Sequence, residues 1–295
     1  MPEQFCTLSD DVELCYETFG DPADPAMLLV MGLATQMIGW HEDFCEELAS
    51  RGFHVIRFDN RDIGRSKRQN YPVPTLKQLL LRDKRAAGYT LEHMADDGFG
   101  LLDHLGIERA HVAGVSMGGM IAQTMAARRP ERVLSLASML SNTGALTSGQ
   151  PSPLMYPVLL KAAPKDRDAY IEHAAWVFSK IGSRDFARDD LREMAALSYD
   201  RGLNPAGSLR QLAAIIASGD RTPLLRTITA PTVVIHGTKD KLVPVSGGKA
   251  TAKAIPGARL VLIDGMGHDL PRDAWPRMLD ALVENAARAG EPLAA

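Results

Sequence analysis

Short apolar runs and longer helical patterns alternate along this chain, and together they predict a parallel α/β sheet. Helix-like spacing of apolar residues fills the intervals between the runs, for example over Leu91–Leu105. The apolar runs are typical of strands, and they lie at Val12–Glu17, Met27–Met31, His54–Phe58, Ala110–Val115, Val133–Met139, Pro231–His236 and Arg259–Ile263. Strands that alternate with helices in this rhythm are joined by right-handed crossovers in a parallel sheet.

The alternation stops at about Ser141 and resumes at Pro231. The intervening pattern is helical and contains no convincing strand; one helical face would carry Tyr170, Ala174, Val177 and Ile181. A block inserted at this point would lie over the C-terminal edge of the sheet, where ligands bind in open α/β folds. We therefore predict a core domain of residues 1–140 and 222–295 and a helical cap of residues 141–221.

The pentapeptide Gly114-Val115-Ser116-Met117-Gly118 lies between a predicted strand and a predicted helix. A G-x-S-x-G sequence in this context is typical of a nucleophile elbow, a sharp turn that holds its serine hydroxyl above the sheet. The flanking glycines leave room for the crossing strand and helix. We predict that Ser116 is the nucleophile.

A serine hydroxyl needs a base to take its proton and an acid to orient that base. Asp240 follows the strand ending at His236, which places it at the same sheet edge as Ser116. Of the eight histidines only His268 comes after Asp240, in the glycine-rich turn that follows the last strand. We predict Asp240 as the acid and His268 as the base, against the alternatives of a solvated loop carboxylate and a surface imidazole. His236 is predicted to be structural.

The tetrahedral intermediate of acyl transfer needs two backbone N–H donors. The residue after the nucleophile, Met117, would supply one, and Leu33, in the loop that turns inward at Gly32, would supply the other. Substrate contacts are further predicted for Gly32, Met120, Val243 and Trp176. For Trp176, which lies off the apolar face of its helix, an outward or core position is the alternative.

The segment from Asp59 to Ser66 reads Asp-Asn-Arg-Asp-Ile-Gly-Arg-Ser. Its charged residues predict buried ion pairs and side chain–backbone bonds that hold the loop beside the elbow. A phosphate-binding role is disfavoured, because the segment lacks the glycine spacing and the lysine of a phosphate-binding loop.

Composition adds few constraints. The 295 residues, 45% of them hydrophobic, suffice for one large domain with an insertion, and the net charge of -3 gives no footprint for nucleic acid or an anionic membrane. Cys6, Cys15 and Cys45 lack metal or disulfide spacing, so we expect small buried side chains. No leader-like or long apolar segment is apparent, which predicts a cytoplasmic protein without membrane insertion. No metal or cofactor motif is found, and a homodimer is left open.

These motifs together resemble the α/β-hydrolase superfamily over nearly the whole chain. The resemblance implies a mostly parallel eight-stranded sheet flanked by helices, with the cap inserted after the sixth strand. It also implies the roles given above to Ser116, Asp240 and His268. The motifs that carry it occur in family order: the Gly32 loop, Asp59–Ser66, Gly114–Gly118, Gly237–Asp240 and Gly265–His268.

Several segments are also similar to the aclacinomycin methylesterases, which hydrolyse a methyl ester on a polyketide. Met31 stands before the loop glycine, as in those enzymes, where many superfamily members have His. The similar segments are Phe19–Pro25, Leu28–Gly32, His54–Asp59 and Gly265–His268. The cap carries no such resemblance, so polyketide specificity is not implied.

We therefore predict a cofactor-independent serine hydrolase acting on carboxylic esters of small to medium apolar groups, with a small-molecule substrate. Lactone opening, C–C bond hydrolysis and perhydrolysis remain alternatives on the same triad. A low-turnover ligand-binding receptor and a scaffold with a filled pocket are alternatives of another class. Dehalogenase and epoxide hydrolase chemistry is disfavoured, because those enzymes use an aspartate nucleophile and position 116 is serine.

Overall fold

The computed structural model describes residues 2–9, 11–159, 161–183 and 188–290. Residues 1, 10 and 291–295 of the predicted core domain, and residues 160 and 184–187 of the predicted cap, lie outside this range.

One eight-stranded sheet organises the chain, with strand order β1-β2-β4-β3-β5-β6-β7-β8. Its strands are β1 (Gln4–Ser9), β2 (Val12–Phe19), β3 (Ala26–Val30), β4 (His54–Phe58), β5 (Ala110–Val115), β6 (Val133–Met139), β7 (Thr232–Gly237) and β8 (Arg259–Ile263). The β1–β2 and β2–β4 pairs are antiparallel and all others are parallel. This confirms the predicted mostly parallel sheet. The pattern of apolar runs missed β1, in which only Cys6 is buried.

Helices cover both faces of the sheet and connect its parallel strands. They are α1 (Glu42–Ser50), α2 (Leu76–Leu80), α3 (Leu91–His104), α4 (Met117–Arg128), α5 (Tyr156–Leu159), α6 (Arg167–Ile181), α7 (Arg188–Arg201), α8 (Pro205–Ser218), α9 (Thr222–Leu225), α10 (Val245–Ala254) and α11 (Trp275–Ala287). Among the described residues, no helix is both long enough and apolar enough to span a lipid bilayer.

The core consists of two apolar layers, one on each face of the sheet. Successive side chains of a strand point to opposite faces, so Leu28 packs in the layer under α3 and α4 while Leu29 packs in the layer under α1 and α11. Burial on both faces explains why the central strands read as continuous apolar runs. Cys6, Cys15 and Cys45 are free and buried, as the sequence predicts.

Between β6 and β7 the described residues form helices α5 to α9 and no strand. We call residues 141–221 the helical insertion. The loops that leave β3, β5, β7 and β8 all start at the carboxyl ends of parallel strands. These loops therefore meet at one edge of the sheet.

Candidate active site

Ser116 occupies a sharp turn between β5 and α4. Its backbone has φ 57° and ψ -119°, in the positive-φ region that side-chain-bearing residues rarely adopt. The Ser116 amide donates to Met139 O at 2.9 Å. A Cβ at Gly118 would overlap the Val30 carbonyl, so only glycine lets α4 start this close to β3. The turn therefore has the geometry of a nucleophile elbow.

His268 and Asp240 come from the loops after β8 and β7 and are in contact. His268 Nδ1 lies 2.7 Å from Asp240 Oδ2, and the other carboxylate oxygen accepts backbone N–H groups of Leu242 at 2.9 Å and Val243 at 2.8 Å. Asp240 is 6% exposed and His268 is 9% exposed. Because the carboxylate engages Nδ1, Nε2 is the ring nitrogen that can exchange a proton with a third group.

Ser116 and His268 line the same cavity. Within the described residues no hydrogen bond joins Ser116 Oγ to His268. The structure therefore brings the predicted acid and base together and places the predicted nucleophile on the wall of the same cavity as His268. Hydrogen bonds of this kind are often long without a substrate and shorten in the reacting complex.

His236 contacts the loop that carries Asp240. Its Nε2 lies 2.8 Å from Val243 O and 3.6 Å from Asp240 Oδ2. Burial lowers the pKa of His236 and so favours a neutral ring. This agrees with a structural role for His236.

The loop after β3 also packs against Ser116. A Cβ at Gly32 would lie 3.2 Å from Ser116 Cβ, and both Gly32 and Leu33 line the cavity. Met117 is the first residue of α4, and the first N–H groups of a helix have no intrahelical acceptor. Met117 is fully buried and is not among the residues that line the cavity, so its role as an oxyanion donor stays a prediction.

Residue Ala34 of the same loop has φ 59° and is held by α8. Its amide donates to Gln211 Oε1 at 3.0 Å, and Gln211 Nε2 donates to Arg61 O at 3.0 Å. Gln211 is fully buried. The helical insertion thus bridges the loop after β3 and the loop after β4.

The loop from Asp59 to Ser66 is fixed by buried charges, as predicted. Asp62 pairs with Arg210 of α8 at 2.6 Å and accepts from Tyr89 Oη at 2.9 Å. Asp59 pairs with Arg201 of α7 and accepts the Met37 amide. These contacts fasten the loop to the helical insertion, which is a structural role.

The cavity has a volume of about 1370 Å³ and a largely apolar wall. Gly32, Met120 and Val243, for which substrate contacts are predicted, line it, whereas Trp176 is not among its lining residues. Trp176 instead stacks on His173, and the Lys161 ammonium nitrogen Nζ lies 4.3 Å from the centre of the Trp176 ring. The prediction for Trp176 assumed that the apolar face of α6 packs against the core, so that a residue off this face could reach the substrate. That face is the one that borders the cavity, through Tyr170, His173, Val177, Phe178 and Ile181.

Three residues near the site were not found from the sequence: Gln211, Ser183 and Asp269. The position of Asp269 directly after His268 was a signal that could have identified Asp269. The occurrence of a glutamine on the apolar face of α8 could likewise have identified Gln211. In the described part of the chain, no group of three or more His, Cys, Asp or Glu side chains could hold a metal ion.

Comparisons with known proteins are consistent with this geometry. A sequence model of the alpha/beta hydrolase fold matches residues 25–271. The chain is 29% identical to rhodomycin D methylesterase DnrP of Streptomyces peucetius and 30% identical to rhodomycin D methylesterase DauP of Streptomyces sp. (strain C5), each over 92% of this chain and 93% of the relative. The enol-lactonase from Burkholderia xenovorans LB400 superposes with a TM-score of 0.71 at 24% identity, over 98% of this chain and 99% of that one. This last likeness concerns the fold alone.

Proposed function

We propose that this chain, which belongs to the α/β-hydrolase family, is a serine hydrolase that cleaves carboxylic esters through an acyl-enzyme on Ser116. The observation that carries the proposal is the 2.7 Å contact of His268 Nδ1 with Asp240 Oδ2 beside a serine in a nucleophile elbow. Two relatives of about 30% identity are named as methylesterases, which supports ester cleavage.

In the proposed reaction, His268 Nε2 takes the proton of Ser116 as Oγ attacks the ester carbonyl. The Leu33 and Met117 amides hold the oxyanion, since both lie at chain turns next to Ser116. His268 then gives the proton to the leaving alcohol, and the same base activates the water that releases the acid. Asp240 fixes the tautomer and stabilises the imidazolium. Each step uses only groups of this chain, the ester and water.

Cavity size refines the substrate. A volume of about 1370 Å³ exceeds the ordinary range of ligand sites, which is about 300–1,000 Å³. The apolar wall therefore favours esters with a larger apolar group than the small to medium ones expected from the sequence.

Replacing the nucleophile tests the proposal. We expect Ser116→Ala to lower kcat for p-nitrophenyl butyrate by about 10⁶-fold, because triad members act as a unit. Ser50→Ala is a matched control, since Ser50 is exposed and its hydroxyl donates only to Glu47 O at 2.8 Å. A fluorophosphonate probe should label wild type and Ser50→Ala but not Ser116→Ala. Equal turnover in wild type and Ser116→Ala would refute the proposal.

A substrate panel separates the alternatives. Methyl, aryl and lactone esters, a cleavable diketone, and peroxide as acceptor would distinguish esterase, lactonase, C–C hydrolase and perhydrolase activity on the same residues. Stoichiometric labelling of Ser116 without steady-state product would instead favour a low-turnover receptor.

A further inference from the structure

Asp269 is a buried carboxylate next to His268 that the proposed mechanism does not use. It is 5% exposed and lines the cavity. Burial raises the pKa of Asp269, while His268 acts to lower that pKa and Asp240 to raise it. A buried carboxylate costs free energy unless hydrogen bonds compensate it, so its contacts indicate what it stabilises.

Those contacts lead to the end of α6. Ser183 Oγ donates to Asp269 Oδ1 at 2.7 Å, and the Ser183 amide donates to Asp269 Oδ2 at 2.9 Å. Both carboxylate oxygens are thus satisfied by one residue that lies 86 positions away in the chain. We call these two residues the Ser183–Asp269 pair.

The same serine and the last residue of α6 also hold the histidine loop by its backbone. Ser183 Oγ accepts the Gly267 amide at 2.9 Å, and Ile181 O accepts the His268 amide at 2.8 Å. A Cβ at Gly267 would overlap the backbone of Gly182, so the two segments are in direct backbone contact. Ser183 therefore accepts one bond from the loop and donates two to it.

We propose that the Ser183–Asp269 pair is a positioning device that fixes the His268 loop to α6, so that the wall contacted by the substrate and the proposed base move together. The inference rests on the proposed function, because it assigns His268 as the base. It follows from the fact that one helix, α6, both borders the cavity and ends at the His268 amide. A substrate that packs against α6 thereby stabilises the reactive position of the imidazole.

Truncating the hydroxyl is the most direct test. Ser183→Ala removes the hydroxyl that donates to Asp269 Oδ1 and accepts the Gly267 amide, while the Ser183 amide can still donate to Asp269 Oδ2. We expect kcat to fall about 10- to 100-fold, as for displacement of a reacting group by about 1 Å. KM should change less than about twofold, because an effect confined to the transition state leaves ground-state binding unaltered. The rate at which a fluorophosphonate probe labels Ser116 should fall in parallel with kcat.

Two companion variants separate positioning from folding. Ser183→Thr retains the hydroxyl and should keep kcat within about threefold of wild type. Asp264→Asn is a matched control, because the exposed Asp264 also follows β8, but its carboxylate accepts from Thr238 Oγ1 at 2.8 Å rather than from Ser183. Thermal unfolding of each variant gives the folded fraction at the assay temperature.

The inference would be overturned if Ser183→Ala, folded at the assay temperature, kept wild-type kcat, or if Asp264→Asn lost as much activity. The inference would also be contradicted if kcat fell as far in Ser183→Thr as in Ser183→Ala. These outcomes are distinct from failure of the proposed function, in which the wild-type protein cleaves no ester or Ser116→Ala remains active.

Discussion

Gln211→Leu is the perturbation that most directly tests how the helical insertion shapes the proposed oxyanion site. Leucine is close to glutamine in size, but it can neither accept from the Ala34 amide nor donate to Arg61 O. In the wild-type protein both bonds are 3.0 Å long, and Gln211 is fully buried. The substitution therefore leaves the buried Arg61 carbonyl and the amide of the exposed residue Ala34 without these partners.

The magnitudes follow from those two groups. An unsatisfied buried polar group costs about 1–3 kcal/mol, and local relaxation offsets part of this. Because only the Arg61 carbonyl is buried, we expect the free energy of unfolding to fall by about 1–3 kcal/mol, and Tm by roughly 2–10 °C for a chain of this size. Loss of one oxyanion donor lowers kcat about 10²- to 10³-fold. Since the loop at Leu33 would be loosened rather than removed, we expect a fall of about 10- to 100-fold.

The assay compares kcat, KM and unfolding for Gln211→Leu and Gln123→Leu. Gln123 is also fully buried, but its Nε2 donates to Ser138 Oγ at 2.9 Å and not to the loop after β3. The control should lose stability and keep kcat within about threefold of wild type. If Gln211→Leu lost stability in the same way but retained wild-type kcat, the assigned link between α8 and the oxyanion loop would be wrong.

Two further predictions concern stability. Arg210→Met leaves the fully buried Asp62 carboxylate without its ion-pair partner, so we expect urea unfolding at pH 7 to show a loss of about 3–5 kcal/mol; a loss below about 1 kcal/mol would contradict this. Burial lowers the pKa of His111 from 6.5 to about 4. The unfolded chain therefore binds a proton at this histidine more readily than the folded chain does. As a result, folding stability that is present above pH 6.5 is lost as the pH falls to 4. The loss is about 3 kcal/mol, and His111→Gln should remove it; identical pH slopes for the two proteins would count against this cause.

The central strands could be predicted because burial on both faces leaves one unbroken apolar run per strand. The predicted bounds of β4, β5, β6 and β8 agree with the structure residue for residue. At the β1 edge of the sheet this signal disappears, because β1 exposes most of its side chains and resembles a polar terminus. The opposite edge strand, β8, keeps an apolar run although most of it is exposed or half-buried, so the signal is lost where an edge strand is also polar.

The candidate site was predictable where its residues depend on short-range geometry. Ser116, Asp240 and His268 each follow a strand end within a glycine-rich turn, and strand ends of a parallel sheet converge. Helical phase alone could not place Trp176, because it tells which residues share a face, but not whether that face covers a core or a cavity. In α6 the face with Tyr170 and Val177 borders the cavity.

The remaining features depend on contacts between distant parts of the chain. Gln211 lies 177 positions from Ala34, and Ser183 lies 86 positions from Asp269. Such a pair carries no local pattern, because each partner alone looks like an ordinary polar residue on a helix or in a loop. Only the path of the helical insertion over the sheet edge brings the partners together.

These long-range contacts have a consequence for altering specificity. The helical insertion holds the proposed base through the Ser183–Asp269 pair and the proposed oxyanion loop through Gln211, so it is bonded to both sides of Ser116. Exchanging the whole insertion for that of another hydrolase would change the cavity wall and disturb both sides at once. Substitutions confined to cavity-lining residues such as Val177 and Leu212 leave these contacts intact. They are therefore the changes expected to alter substrate choice while preserving kcat.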